Sequence, residues 1–122
     1  MAYKILIVDD DRDISETLKH RLIQEGYEAV LAFDGEEALR KIKEEDPQII
    51  ILDIMLPKID GFKVCRMLKF DEKYKRIPII ILTARAQQQD ERIGYEVGAN
   101  AFLTKPFEPK VLMDKIEELL KK

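Results

Sequence analysis

Residues 49–57 read IIILDIMLP, in which four apolar residues are followed at once by Asp53. A short apolar run bounded by polar residues is typical of a strand that is buried on both faces of a sheet. Three other apolar runs also lead to polar side chains: residues 5–8 to Asp9 and Asp10, residues 79–82 to Thr83, and residues 101–103 to Lys105. The sequence therefore predicts buried parallel strands with chemically active residues near their carboxyl ends.

The carboxyl ends of parallel strands line one crevice in an open α/β sheet, and ligands bind in that crevice. We therefore expect the carboxylates, the hydroxyl and the ammonium group to lie close together. Two carboxylates about 4 Å apart repel each other by roughly 4 kcal/mol at an effective dielectric constant of 20, so a cation or Lys105 has to offset the repulsion. This combination of groups indicates divalent-metal and phosphoryl chemistry.

Apolar runs and amphipathic helical stretches alternate five times along the chain. Such alternation is typical of a doubly wound parallel sheet. Right-handed crossovers restrict the strand order to 2-1-3-4-5. The predicted fold class is therefore α/β, with a single five-stranded parallel sheet of the flavodoxin-like (βα)5 type.

Capping and turn residues predict where the helices begin and end. The predicted starts are marked by Asp13 (with Asp11 in a polar turn that caps the same helix), Asp34, Asp60, Gln87 and Pro109. The predicted ends are marked by Gly26, Asp46-Pro47 and Gly98. The last helix is predicted to pack its apolar side chains inward: Val111, Leu112, Ile116, Leu119 and Leu120.

The composition predicts one compact domain over residues 1–122 and argues against several classes of protein. A chain of 122 residues with 46% hydrophobic content has room for a single core. The net charge of −3, without a basic run, argues against nucleic-acid binding. Cys65 has no partner at zinc-site spacing and is expected to fill apolar space. Because the chain shows neither a secretory signal nor a membrane-spanning stretch, we expect a cytoplasmic protein.

Three aspartates form a candidate Mg²⁺ site, because Mg²⁺ prefers oxygen ligands and usually keeps some of its waters. Asp10 and Asp53 are the expected direct ligands, with Asp9 beside them. A carboxylate such as that of Asp53 can also attack phosphorus and form an aspartyl phosphate, if a metal and a cation neutralise the phosphoryl oxygens. Lys105 and Thr83 are the expected donors to those oxygens.

Taken together, these motifs resemble the receiver domain of response regulators in two-component signalling. The resemblance covers almost the whole chain and is much more specific than any single motif. It is carried by ILIVDD at 5–10, IIILDIMLP at 49–57 with the following Asp60-Gly61, IILTA at 80–84, and Lys105-Pro106-Phe107.

The resemblance implies a role for each site residue. Asp53 is the implied phosphoacceptor, and Asp9 and Asp10 form the implied acidic metal pocket with it. Met55 is implied to bind the metal through its backbone carbonyl, and Lys105 to pair with the phosphoryl group. Mg²⁺ is the implied cofactor. The implied partners are a sensor histidine kinase or phosphotransfer protein, and a downstream target or output domain.

The resemblance also implies a conformational switch. In the family, the phosphorylated site draws the threonine inward, here Thr83, and an aromatic ring turns in from the surface. Phe102 occupies that aromatic position, and because it lacks a phenol oxygen, its switch has to work through packing. The expected signalling surface consists of the fourth helix, the fifth strand and the fifth helix. Asn100-Ala101 replaces acidic residues of DNA-binding relatives, which argues against their salt-bridged dimer.

Further expectations concern the kinase and the lifetime of the phosphoryl group. By resemblance, Thr17, His20, Pro106 and Phe107 are expected to contact the kinase, and the peptide bond before Pro106 is expected to be cis. His20 is expected to be solvated and is not expected to be a phosphoryl donor. Two further residues, Met55 and Arg85, are expected to flank the approach of water and tune the lifetime.

Three other functions fit the sequence less well. A phosphohydrolase with an aspartyl-phosphate intermediate is the alternative, but Met55 stands where such enzymes carry their second acid, so efficient turnover is not expected. A flavin or nucleotide binder is disfavoured because three acids, Asp9, Asp10 and Asp11, would repel a phosphate. A docking domain that is never phosphorylated would lack the acidic pocket. The sequence leaves open whether the chain is a stand-alone regulator or a fragment.

Overall fold

The computed structural model describes residues 2–85 and 87–121. Strands and helices alternate strictly over this part of the chain: β1 (Lys4–Val8), α1 (Arg12–Gln24), β2 (Glu28–Ala32), α2 (Gly35–Glu45), β3 (Ile49–Leu52), α3 (Gly61–Lys69), β4 (Ile79–Thr83), α4 (Gln88–Glu96), β5 (Ala101–Thr104) and α5 (Pro109–Leu120). None of the helices in the described residues has the length and apolar character needed to cross a membrane.

The strands form one parallel sheet in the order β2-β1-β3-β4-β5. This confirms the predicted fold class and strand order. Val8 pairs with Leu52, and Leu82 pairs with Leu103, so the carboxyl ends of the strands lie level along one edge. The residues that follow these strands are therefore brought to the same side of the sheet.

Successive residues of each strand point to opposite faces of the sheet, and both faces are covered by helices. Leu6 and Val8 belong to the core beneath α2 and α3, whereas Ile5 and Ile7 belong to the core beneath α1 and α5. The central strands β1, β3 and β4 are buried over nearly their whole length. This explains why they read as continuous apolar runs rather than as alternating ones.

Most of the predicted helix boundaries are confirmed. Asp34 and Asp60 cap α2 and α3, each accepting a hydrogen bond from the backbone N–H three residues on. The start predicted at Asp13 is wrong, because α1 begins at Arg12 and Asp11 is its cap. The Asp11 carboxylate accepts from the backbone N–H groups of Asp13 and Ile14, at 3.0 and 3.2 Å. The capping turn predicted around Asp11 is therefore confirmed.

Two packing predictions have different outcomes. Cys65 is fully buried and donates its thiol to the carbonyl of Val97, and burial raises its pKa to about 11, so its role as an apolar filler is confirmed. Val111 was predicted to pack inward, but it is 46% exposed. The inner face of α5 is formed instead by the other buried positions, Leu112, Ile116 and Leu119. Val111 precedes Leu112 directly, so it lies about 100° away around the helix.

Candidate functional site

The site lies at the carboxyl edge of the sheet, where β1 and β3 end side by side. Asp9 follows β1 directly, and its backbone N–H donates to the carbonyl of Ala32 at 3.1 Å. Asp53 follows β3, and its backbone N–H donates to the carbonyl of Val8 at 2.9 Å. The sheet ladder therefore extends one residue beyond each strand and fixes both aspartates. Both are buried.

Lys105 places its ammonium group between the two buried carboxylates. Its Nζ donates to Oδ2 of Asp53 at 3.0 Å and also to Oδ2 of Asp9. The backbone N–H of Lys105 donates to the carbonyl of Thr83 at 2.8 Å, which ties the end of β5 to the end of β4. The following Lys105-Pro106 peptide bond is cis, as the resemblance implied. The structure thus brings Asp9, Asp53 and Lys105 together as the strand-end pattern predicted.

The protonation tendencies of these groups follow from burial and charge. Burial raises the pKa of the Asp9 carboxyl above its usual value, although hydrogen bonds from Lys105 and from the backbone N–H of Asp11 act in the opposite direction. Burial alone would lower the pKa of Lys105, but its hydrogen bonds to Asp9 and Asp53 and their negative charges raise it overall. Lys105 is therefore a firmly protonated cation at the base of the site.

Asp10 is the third acid of the site and lies on its solvent side. Carboxylate oxygens of Asp9, Asp10 and Asp53 lie within 4.8 Å of one another, and Asp10 is the exposed member. The oxygens of Asp9 and Asp53 accept hydrogen bonds from the chain itself. Within residues 2–85 and 87–121, the Asp10 carboxylate accepts none.

The donor set fits a hard divalent cation. Three carboxylates face one ammonium group, so the four side chains carry a net charge of −2 when all are ionised. Oxygen ligands with an open, solvent-facing side suit Mg²⁺, which keeps waters in its coordination shell. Asp10 and Asp53 would hold such an ion, with Asp9 beside them.

Met55 lies two residues beyond Asp53, in the loop that leads to α3. Its backbone N–H donates to Oδ1 of Asp53 at 2.9 Å, so the loop turns back over the aspartate. Met55 is 52% exposed to solvent. The backbone of Met55, rather than its thioether, is thus the part that belongs to the site.

Thr83 and Phe102 lie on the neighbouring strands β4 and β5. Thr83 is fully buried, and its Oγ1 accepts a hydrogen bond from the backbone N–H of Arg85 at 3.2 Å, which leaves the hydroxyl hydrogen for another acceptor. Phe102 is 9% exposed, and its ring packs close to Gly94 of α4 and belongs to the same core cluster as Ile81. In this structure the aromatic ring is therefore turned inward.

Two of the four expected kinase-contact residues line one cavity. Thr17 and Phe107 face a cavity of about 350 Å³ between α1 and the segment after β5, together with apolar Ile14 and Leu18. His20 is exposed on α1, as predicted, but it does not line this cavity. Pro106 is also exposed outside it.

Sequence reasoning missed an ion pair next to Thr83. Asp90 of α4 is fully buried, and its Oδ1 lies 3.1 Å from Nη2 of Arg85. Its Oδ2 accepts the backbone N–H of Gln87 at 3.2 Å and thereby caps the helix. An acid three residues after a predicted helix start is the capping-box signal that could have revealed it.

The comparisons with known proteins agree with this geometry. A family model described as the response regulator receiver domain matches residues 5–117. The chain is 41% identical over 122 residues to the alkaline phosphatase synthesis transcriptional regulatory protein PhoP of Bacillus subtilis (strain 168), covering 100% of the chain and 50% of that protein. The chain thus spans about half the length of this curated relative.

Two solved structures show the same fold over nearly the whole chain. The chemotaxis response regulator CheY4 of Vibrio cholerae superimposes with a TM-score of 0.90 at 34% identity, with 98% of this chain and 99% of that chain covered. A CheY-like response regulator receiver domain protein from Methanospirillum hungatei JF-1 gives a TM-score of 0.92 at 32% identity, with 99% and 95% covered. The chain therefore belongs to the response regulator receiver domains of two-component signalling.

Proposed function

We propose that this receiver domain accepts a phosphoryl group from a histidine kinase onto Asp53 and passes the signal on by a change of shape. The observation that carries the proposal is the position of the Asp53 carboxylate. It is buried at the carboxyl edge of the sheet, hydrogen-bonded to Lys105 and to the backbone of Met55, and within reach of Asp9 and Asp10. Asp9 shares the contact with Lys105, whereas Asp53 is the acid whose carboxylate also accepts the backbone N–H of Met55.

In the proposed reaction, a carboxylate oxygen of Asp53 attacks the phosphorus of a phosphohistidine. A P–O bond to Asp53 forms, the P–N bond breaks, and the imidazole nitrogen leaves with the electron pair. Lys105 donates to one phosphoryl oxygen and Thr83 donates its free hydroxyl hydrogen to another. Charge neutralisation at fixed positions is the main help that a protein can give to such a transfer.

Mg²⁺ is the proposed cofactor, held by Asp10 and Asp53, the Met55 carbonyl and waters, with Asp9 adjacent. When bound, it neutralises charge on the transferred group and brings the oxygens of donor and acceptor together. The net negative charge of the acidic cluster supports this proposal, since Lys105 alone does not balance three carboxylates.

The proposed response runs from Thr83 to the surface formed by α4, β5 and α5. The Thr83 hydroxyl oxygen accepts a hydrogen bond from the backbone N–H of Arg85. Movement of that hydroxyl toward a phosphoryl oxygen would therefore shift the backbone of Arg85. The ring of Phe102 packs beneath α4 and would adjust to that movement through packing. Because the ring already lies inward, we propose that phosphorylation changes how tightly it packs as well as its orientation.

The remaining features of the proposal follow the family. A sensor histidine kinase or phosphotransfer protein is the proposed donor, docking near the cavity lined by Thr17 and Phe107. We further propose that residues 1–122 form one receiver domain acting in the cytoplasm, without direct nucleic-acid contacts, on a downstream protein or output domain. Met55 and Arg85 are proposed to set how fast water reaches the phosphoryl group.

The phosphohydrolase alternative gains no support from the site. Rapid turnover requires a general acid near the leaving oxygen, and the position two residues after Asp53 carries a methionine with an exposed side chain. We therefore propose that the domain is a switch that assists its own phosphorylation and dephosphorylation rather than an enzyme acting on other substrates.

The test is phosphorylation of the intact chain by a small phosphoramidate in the presence of Mg²⁺, read by intact-protein mass. Wild type should gain one phosphoryl group, and Asp53→Asn, which keeps the size of the side chain, should gain none. Asp60→Asn is the matched control, because Asp60 caps α3 and should not affect labelling. Equal labelling of Asp53→Asn and wild type would refute the assignment.

A further inference from the structure

The loop from Asp53 to Gly61 carries the Met55 backbone. At its tip the Ile59 N–H donates to the carbonyl of Pro57 at 2.8 Å, and two further internal hydrogen bonds hold its base. One is the hydrogen bond from the Met55 N–H to the Asp53 carboxylate at 2.9 Å. The other is the hydrogen bond from the Gly61 N–H to the carbonyl of Ile54 at 3.1 Å. All three contacts lie inside the loop, so they fix its curvature but do not fix the position of its tip relative to the rest of the molecule.

The tip is held from outside by the first residue of α2. The backbone N–H of Gly35 donates to the carbonyl of Pro57 at 3.2 Å. A Cβ atom at Gly35 would lie 2.1 Å from the carbonyl oxygen of Ile59 and 2.6 Å from its Cβ. Gly35 is not among the glycines with positive φ, so a side chain is excluded by lack of space rather than by backbone conformation.

A second external contact acts at the same tip. Lys58 adopts a left-handed backbone with φ of 70°, and its Nζ lies 3.6 Å from Oδ2 of Asp34. Asp34 is also the residue whose Oδ1 caps α2. The amino end of α2 and the loop tip therefore meet through a hydrogen bond, a close backbone approach and an ion pair.

We propose that Gly35 is a positioning residue for cation binding, acting through the loop that carries the Met55 carbonyl. The inference rests on the proposed function, in which that carbonyl is a ligand. A hard cation with strict geometry tolerates little displacement of a ligand. Because the tip can approach α2 only where Gly35 has no side chain, a Cβ there has to push the loop away. Of the remaining ligands, Asp10 lies on another segment, and Asp53 is anchored at the base of the loop by its backbone hydrogen bond to Val8, so neither would move with the tip.

The direct test compares the Mg²⁺ affinity of wild type with that of Gly35→Ala, by calorimetric titration of the full chain. We expect affinity to fall by about tenfold, the low end of the effect seen when groups that orient metal ligands are changed. Gly26→Ala is the matched control: Gly26 has φ of 95° and nothing within 4 Å of an added Cβ. It should lower the urea midpoint without changing Mg²⁺ affinity. A folded Gly35→Ala with wild-type affinity overturns the proposal.

A second measurement uses the unmodified protein and remains informative even if Gly35→Ala does not fold. Since coupling between two sites is reciprocal, saturating Mg²⁺ should slow hydrogen exchange of the Gly35 amide by at least about threefold. The Gly26 amide, which donates to Ile23, should not change. Unchanged exchange at Gly35 while Mg²⁺ binds overturns this inference alone, whereas failure of wild type to bind Mg²⁺ overturns the proposed metal site as well.

Discussion

The two loops that flank the site are held in different ways. The loop from Asp53 to Gly61 is fixed by backbone hydrogen bonds and by glycines that permit close contact. The loop between β4 and α4 is held through side chains: the Thr83 hydroxyl accepts from Arg85, and the Arg85 guanidinium pairs with Asp90. Backbone contacts at close range leave little freedom, whereas a hydroxyl and an exposed guanidinium can change partners. In the proposed function, the first loop would position ligands and the second would respond to phosphorylation.

Lys105 joins two halves of the site, Asp9 after β1 and Asp53 after β3, through hydrogen bonds from its ammonium group, and its replacement should have the largest effect. In Lys105→Met, the buried carboxylates of Asp9 and Asp53 lose their countercharge, so we expect the free energy of unfolding without metal to fall by about 3–5 kcal/mol at pH 7. Urea unfolding followed by circular dichroism measures this. Lys110→Met is the control, since Lys110 pairs with Asp114 at the surface. Equal midpoints for Lys105→Met and wild type would mean that the ammonium does not hold the halves together.

The same variant predicts a pH dependence whose sign follows from Asp9. Burial already raises the folded-state pKa of Asp9 above 3.8, and loss of Lys105 removes groups that lower it. A folded state that binds protons more tightly than the unfolded state gains stability as pH falls through that window. The difference in the free energy of unfolding between Lys105→Met and wild type should therefore become smaller as pH is lowered from 7 toward 3.8. It should also narrow when Mg²⁺ is added.

Arg85→Ala tests the responsive loop. The substitution removes the guanidinium charge 3.1 Å from Oδ1 of the buried Asp90 carboxylate, an oxygen that accepts no hydrogen bond within the described residues. Because the guanidinium is half exposed, water will replace part of the interaction. We expect a loss of about 1–3 kcal/mol in the free energy of unfolding. The control is Arg92→Ala, on the exposed face of α4, the helix that carries Asp90. It should change the free energy of unfolding by less than about 0.5 kcal/mol.

A double variant makes this prediction more specific. Asp90→Asn removes the charge that Arg85 balances, so the effect of Arg85→Ala should be smaller in that background than in wild type. Additive effects would show that the pair at 3.1 Å contributes nothing to stability.

The features that could be predicted from the sequence are those that depend on neighbouring residues or on strand order alone. Asp34 and Asp60 were identified because a cap is recognised within three residues of its partner. Asp9, Asp53 and Lys105 were brought together because parallel strands share an edge, a rule that requires only strand order. Asp13 was predicted as the helix start because Glu16 follows it by three residues, whereas the geometry of the turn makes Asp11 the cap.

The missed features depend on three-dimensional contacts between distant segments. Nothing in the sequence says that Gly35 meets Ile59, which lies 24 residues on, because the contact is made by backbone atoms. Asp90 was missed because most acids are exposed, and its burial follows from the side of α4 that faces the sheet. The close approach at Gly35 and the burial of Asp90 come from packing between elements, which capping and periodicity do not report.

Thr83→Val asks whether the hydroxyl carries the response. Valine keeps the shape of the side chain but removes the acceptor of the Arg85 N–H, so we expect a loss of about 1 kcal/mol. Phosphorylation of Asp53 should persist, while the chemical-shift changes that it produces at Phe102 and along α4 should be largely lost. Thr83→Ser keeps the hydroxyl and should retain them. Full shift changes in Thr83→Val would place the coupling elsewhere.

Lys58→Gly should have the smallest effect and tests the positioning loop through its backbone. Glycine relieves the left-handed conformation at φ of 70° but loses the 3.6 Å ion pair with Asp34. These terms have opposite signs and similar size, so the free energy of unfolding should change by less than about 0.5 kcal/mol. Lys58→Ala loses the ion pair and keeps the strain, so it should be less stable than Lys58→Gly by about 1 kcal/mol. If the two variants unfold at the same urea concentration, the left-handed backbone at Lys58 carries no strain that glycine can relieve.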